Sequence, residues 1–288
     1  MRLLFVLLMA LMRGAAGSVA AQSSAVTWEP ERLVNGGPCV FYYRSATPLR
    51  TLTGDWQGNR VFFINDPRSG VWMGFAGTDV DVRPGNYQLS LKGTMANGQE
   101  LNFVQIVPVE KGNYPVSRVT VPRKYVDPDP ADMARIMDER RLKDDLFSRV
   151  TPERFWAGAF AAPADTTTTS VFGSQRFYNG RRQSIHQGLD FRAAIGTPVR
   201  TMNHGRVILA RDLYYEGNCV VIDHGQGLLT IYMHLSSFRV QEGDTVRRGQ
   251  LIAASGDTGR ASGPHLHVGV RWQGVYVNPA SVLQLRFQ

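Results

Sequence analysis

Residues 265–270 read "HLHVGV", directly after Gly263 and Pro264. Read as a strand, this stretch points side chains at i and i+2 to one face, so His265 and His267 look one way while Leu266 and Val268 look the other. The apolar pair then asks for a core, and two nitrogen donors share a surface. Taken alone, such a pair has two readings: partly buried histidines satisfied by backbone carbonyls, or donors to a metal. The rest of the chain has to decide.

All six histidines of the 288 residues fall between His186 and His267. Within this half, "HQGLD" sets Asp190 four residues after His186, which brings both to one side of a helical turn or of a tight extended turn. With an imidazole from "HLH" they make three hard or borderline ligands, the number expected at a catalytic zinc site that keeps one position for water. Thiolate zinc binding is excluded, because the chain has only Cys39 and Cys219, one in each half. Cys219, in "GNCVVIDHG", reads as a small buried residue of a strand, although an exported location would permit a disulfide. His204 and His224 each precede a glycine and read as structural or exposed turn residues.

Four stretches together, "FGSQRFYNG", "HQGLDFRAAIGTPVRTMNHGRVI", "GNCVVIDHGQGLLTIYMHLSSFRVQEGDTVRRGQLIAASGDTG" and "SGPHLHVGV", resemble the catalytic domain of the lysostaphin-type (LytM-like) zinc endopeptidases, which cut peptide cross-links in peptidoglycan. The resemblance runs from about residue 155 to 283. It implies that His186, Asp190 and His267 bind zinc and that His234, in "YMHL", and His265 are the catalytic histidines beside it. Zinc so bound would lower the pKa of a water toward about 7, with one histidine taking its proton and another stabilising the oxyanion. In one respect the chain departs from the family: Gly269 stands where a glutamate is common, two residues after the last ligand. The hairpin rhythm of "VQEGDTVRRGQLIAASG" is also that of biotinyl and lipoyl carriers, but no lysine follows Lys143 to carry a cofactor. A cupin-like barrel is the other rival for "HLH", and its downstream glutamate ligand is absent.

Upstream, residues 26–121 alternate short apolar runs with turn signals such as Pro84-Gly85-Asn86 and Asn97-Gly98, and contain no histidine. This pattern predicts an antiparallel sandwich of immunoglobulin-like size with a structural or binding role. A helix should follow, with Asp129 as its cap, Pro130 at its first position and Met133, Ile136 and Met137 on the face that bridges the halves. The charged run 138–145 would be its solvated side. "ADTTTTSVFGS" reads as a strand entering the second half. At the amino terminus, an apolar run, Leu3 to Met12, between Arg2 and Arg13, with small residues up to Ala21, has the pattern of a secretory signal and is too short to span a bilayer.

The expected architecture is mainly β: a signal segment (1–21), an immunoglobulin-like β-sandwich (22–122), a helical linker (123–150) and an antiparallel β zinc endopeptidase domain of the lysostaphin type (151–288). The expected product is an exported, periplasmic or envelope-associated enzyme acting on peptidoglycan peptides, with no stable membrane span in its mature form. A formal charge of +8 and a pI near 9.8 favour polyanionic wall or lipid surfaces. No Lys/Arg run or nucleic-acid motif accompanies that charge, so no nucleic-acid partner is expected. The alternatives are a non-catalytic activator of other wall hydrolases, against which the five intact site residues argue, and a secreted protease of ordinary proteins. The first domain could hold an envelope protein partner.

Overall fold

Period-two alternation and β-branched runs give 21 strands, with two α-helices and one short 3-10 helix (Arg123–Tyr125), in a computed structural model that describes residues 25–287. The expected signal segment lies outside the described residues. The first eight strands are β1 (Ala25–Glu29), β2 (Leu33–Val34), β3 (Pro38–Arg44), β4 (Leu49–Trp56), β5 (Asn59–Asn65), β6 (Val71–Gly77), β7 (Gly85–Met95) and β8 (Glu100–Glu110). They join in the order β1-β3-β6-β5-β4-β7-β8-β2, antiparallel except where β2 meets β8. Phe41 of β3 meets Trp56 of β4 at 5.2 Å, and Tyr43 of β3 meets Phe103 of β8 at 5.5 Å. These strands are far apart in the sheet order, so the path folds over itself into two facing layers.

After the sandwich come β9 (Val116–Val119) and α1 (Pro130–Ser148). The second half then runs β10 (Thr168–Ser170), β11 (Gln175–Tyr178), β12 (Arg181–Ile185), β13 (Leu189–Phe191), β14 (Pro198–Arg200), β15 (Gly205–Leu213), β16 (Gly217–Asp223) and β17 (Leu228–Phe238). It ends with β18 (Thr245–Val246), β19 (Leu251–Ser255), β20 (Leu266–Trp272), β21 (Val275–Val277) and α2 (Pro279–Gln284). Its main sheet is β10-β13-β20-β17-β16-β15-β18, with β19 on β17 and β14, and β21 on β20. A small sheet, β12-β11-β9, stands beside it, and β9 runs parallel to β11. The chain leaving the sandwich thus enters a sheet of the second half before α1 begins.

One apolar core continues through both halves, from Trp56 and Phe75 to Val270, Trp272 and Val277. Where they meet, a Cβ on Gly77 would stand 2.6 Å from Val277, so the absence of a side chain lets β6 close on β21. Trp156 packs against Phe75 at 6.3 Å and Phe287 at 4.8 Å, and the Asn278 N–H donates to the Gly36 carbonyl at 2.8 Å. Cys39 and Cys219 are both buried free thiols, and burial pushes each thiol pKa up.

Helix α1 begins at Pro130 after Asp129 as expected, but its packing face is not the expected one. Met133 and Met137 are 42% and 55% exposed, whereas Leu142, Leu146 and Phe147 pack on the second core. The supposedly solvated run supplies polar anchors: Glu139 accepts from the Tyr214 N–H at 2.7 Å and Lys143 pairs with Glu216. Arg135 meets Asp212 at 2.9 Å in the same interface. Counting apolar residues alone picked the wrong stripe, because this contact is built from ion pairs and aliphatic stems.

Truncating Trp156 to alanine empties the junction of the two halves and should cost about 3–5 kcal/mol. Urea denaturation measures it; a loss below about 1 kcal/mol would mean that the halves do not share their core.

Candidate metal centre

Three adjacent strands set the site. Asp190 on β13 lies directly opposite His267 on β20, and His267 lies opposite Met233 on β17. Cross-strand partners present their side chains to one face, so a carboxylate and an imidazole converge there. His186 directly follows the end of β12, and the turn at Gln187 and Gly188 leads from it to Asp190 on β13, the extended rather than the helical of the two expected geometries. A Cβ on Gly188 would fall 2.4 Å from the His267 ring, so only glycine lets that turn pass.

His186 Nε2, Asp190 Oδ1 and His267 Nδ1 form a closed triangle with sides of 3.0, 2.8 and 3.1 Å. All three residues are buried. His186 Nδ1 donates to the Val171 carbonyl at 2.8 Å, which leaves Nε2 as a lone pair aimed into the triangle. Burial pushes the His267 imidazole down to about 4, against the opposing pull of Asp190. Burial would raise the Asp190 carboxyl, but the two imidazoles outweigh it and hold the group well below the usual carboxylate range. An ionised carboxylate facing imidazole lone pairs is a cation site. Donors about 2.05 Å from a tetrahedral ion stand roughly 3.3 Å apart, only slightly wider than this triangle. Two nitrogens and one oxygen therefore fit a divalent metal of the zinc class.

Two more histidines border the triangle. His234 has φ 61°, a left-handed backbone whose cost is on the order of 1–3 kcal/mol and which collects at functional sites. Its N–H donates to the Glu216 carbonyl at 2.9 Å, and its Nδ1 donates to the Thr258 carbonyl at 2.7 Å. His265 donates from Nδ1 to the Gly263 carbonyl at 2.8 Å, and its Nε2 stands 3.9 Å from Asp190 Oδ1. The two rings are 4.8 Å apart. Both tautomers leave Nε2 free to accept a proton. His224 lies elsewhere, buried between the His204 carbonyl and Thr230 at 2.7 and 2.8 Å, and burial lowers it to about 4. His204, whose carbonyl it binds, is also apart from the cluster.

The sequence reading missed Arg176. Its guanidinium donates to Asp190 Oδ2 at 2.5 Å and to Ser170 Oγ at 3.2 Å, in a pair that is nearly buried. The available signal was period-two placement: Arg176 and Tyr178 share a face of β11. At Gly269, a Cβ would meet the Gln187 carbonyl at 3.3 Å and the Tyr276 ring at 3.6 Å, so these groups border the place of the family's glutamate. Two cavities open on the cluster, of about 410 and 160 Å³, and share Arg176, Tyr178 and Arg260 as walls. Ser117 and Val119 of β9 line the larger one together with His265.

A mainly β protein with a buried His-Asp-His cluster flanked by two histidines falls in the class of β-sheet metallopeptidases. Residues 184–279 match the model of Peptidase family M23. The chain is 48% identical over 98 residues to the peptidoglycan DD-endopeptidase ShyA of Vibrio cholerae, which covers 34% of this chain and 23% of that protein. It is 41% identical over 117 residues to the DD-carboxypeptidase/endopeptidase Mpg of Neisseria meningitidis, covering 41% and 27%. The match thus spans about a quarter of the length of these curated relatives. Among solved structures, a putative peptidase M23 from Pseudomonas aeruginosa superposes with a TM-score of 0.68 at 27% identity, over 88% of this chain and 95% of that one.

Replacing His186 or His267 by alanine should abolish retention of a divalent metal, while His234→Ala and His265→Ala should keep it. Arg176→Met should weaken affinity about 10- to 100-fold, because it frees the outer oxygen of a ligand. Elemental analysis after dialysis against graded chelator reads all five variants; equal retention in every one would refute the triangle as the site.

Proposed function

We propose that this chain is a zinc-dependent endopeptidase that hydrolyses peptide bonds in peptidoglycan stem peptides or cross-links, with His186, Asp190 and His267 as ligands and His234 and His265 as the assisting histidines. The observation that carries this reading is the pair of free Nε2 atoms beside a buried metal-ligand triangle. The relatives named as peptidoglycan endopeptidases support the substrate class.

Bound zinc supplies Lewis-acid polarisation of a carbonyl and a lowered pKa for water. The protein's own part is positional. The carbonyls of Thr258 and Gly263 fix the two rings as Nδ1–H tautomers, so each presents an unprotonated Nε2 at the cluster. One of them takes a proton from the attacking water at Nε2 and passes that proton to the leaving amine, and the other, when protonated at Nε2, donates a hydrogen bond to the developing oxyanion. Arg176 binds the outer oxygen of Asp190, which leaves the inner oxygen turned to the triangle.

An enzyme of this substrate works outside the cytoplasm, so we place it in the cell envelope; among the described residues no helix is long and apolar enough to cross a membrane. Net positive charge retains it on anionic polymers. We divide the chain as a sandwich, a helical linker and a catalytic domain, and take β9 as a strand lent to the groove by the sandwich side.

Purified peptidoglycan should release new amine-bearing fragments with this protein, and a chelator should stop it; mass analysis of the fragments identifies the bond. His234→Ala and His265→Ala should keep their metal and lose about 100- to 10,000-fold in rate. Metal-loaded protein that leaves the wall polymer intact while stimulating a second hydrolase would favour the activator reading instead.

A further inference from the structure

We propose that Arg260 determines specificity by binding a carboxylate of the peptide substrate, an inference that rests on the endopeptidase reading above. Arg260 lies in the turn between β19 and β20 and lines both cavities that open on the metal cluster. Its guanidinium carbon stands 4.7 Å from the Tyr178 ring centroid and 4.8 Å from that of Tyr215. Among the described residues, no carboxylate or other acceptor pairs with that guanidinium. The other charges of these walls are used up: Arg176 holds Asp190, and Lys143 holds Glu216. Among the described residues of the walls, the Arg260 cation is left without an anion.

The position is fixed in advance. The Arg260 N–H donates to the Tyr215 carbonyl at 2.8 Å, and Thr258, two residues earlier, ties the same turn to Asn218 and Leu235 at 2.9 Å each. That turn also holds His234 through the Thr258 carbonyl. Aromatic stacking occupies the faces of a guanidinium and leaves its in-plane N–H groups for an acceptor, and a planar fork of donors matches a carboxylate. The carboxylate could be the terminal one of the peptide or that of an acidic side chain within it.

The test uses the full chain loaded with zinc, as wild type, Arg260→Gln and Arg260→Lys. The probes are an N-acetylated pentapeptide with one internal glutamate and a D-alanyl-D-alanine end, and two counterparts, one amidated at its terminus and one with glutamine for glutamate. Calorimetric affinity and separate kcat and KM values are measured for each. In wild type, one of the two amides should bind about 10- to 100-fold more weakly, with the loss in KM, and which amide does so identifies the carboxylate. The same change should cost Arg260→Gln less than about threefold, because any attraction of the carboxylate to the metal is common to both proteins. Arg260→Lys, which keeps the charge without the fork, should fall between them and decides the matter if the glutamine variant loses its zinc. Indifference of wild type to both amides would overturn the proposal, as would a full penalty in a zinc-loaded Arg260→Gln. Failure to cleave any of the three peptides would count against the endopeptidase reading, while the affinities would still report on Arg260.

Discussion

The structure around the cluster depends on one buried ionised carboxylate. Removing Asp190 from water costs several kcal/mol unless both oxygens are satisfied, and they are satisfied by different parts of the chain. Oδ1 faces His186 and His267, and Oδ2 receives Arg176. Arg176 is held by β11, which pairs with β12 on one side and β9 on the other. β12 leads directly into His186. The ion pair therefore joins the small sheet to the main one at the point where His186, Asp190 and His267 converge, and whatever displaces β11 also disturbs the carboxylate.

Backbone carbonyls then assign the imidazoles. In His186, His234 and His265, Nδ1 points to the carbonyls of Val171, Thr258 and Gly263, so the distal nitrogen is the one offered to the site. His267 is the exception and turns Nδ1 inward. A β-sheet supplies carbonyls at its ends and in its turns, where they are not used by neighbouring strands, and each of these three acceptors sits in such a place. The left-handed backbone of His234 belongs to the same economy of shape: the strand must leave its regular path to bring the ring beside that of His265, and the Glu216 carbonyl and Thr258 turn over-determine that conformation.

Much of this was legible in the sequence because it depends on short spacings. The i, i+2 pair His265 and His267 and the i, i+4 pair His186 and Asp190 occupy the faces their spacings require, and β10 appears where "TTTTS" called for a strand. Their convergence across 77 residues was carried by the resemblance, since nothing local to either motif sets the register of β13 on β20. Arg176 was invisible for a related reason. A single arginine in a strand reads as a solvated charge until a partner carboxylate is known to sit opposite. The packing face of α1 was misread because Glu139 and Lys143 count as solvent-facing in any hydrophobic pattern, yet they bind groups at the β15–β16 turn.

Least legible was the role of the chain between the halves. Tyr114 packs on Phe172 at 6.2 Å and donates to the Asn35 carbonyl, so the first residues beyond the sandwich touch both halves at once. A few residues on, Asn179 exchanges hydrogen bonds with Val121 at 3.0 and 2.9 Å, which fastens the far end of β9. Ser117 and Val119, held between these fixed points, face the cavity that contains His265. A strand clamped at both ends cannot drift from the groove without breaking the Tyr114–Phe172 contact or the Asn179–Val121 hydrogen bonds. The sandwich thus adjoins the site through β9, although none of its eight strands contributes a residue to the His-Asp-His triangle.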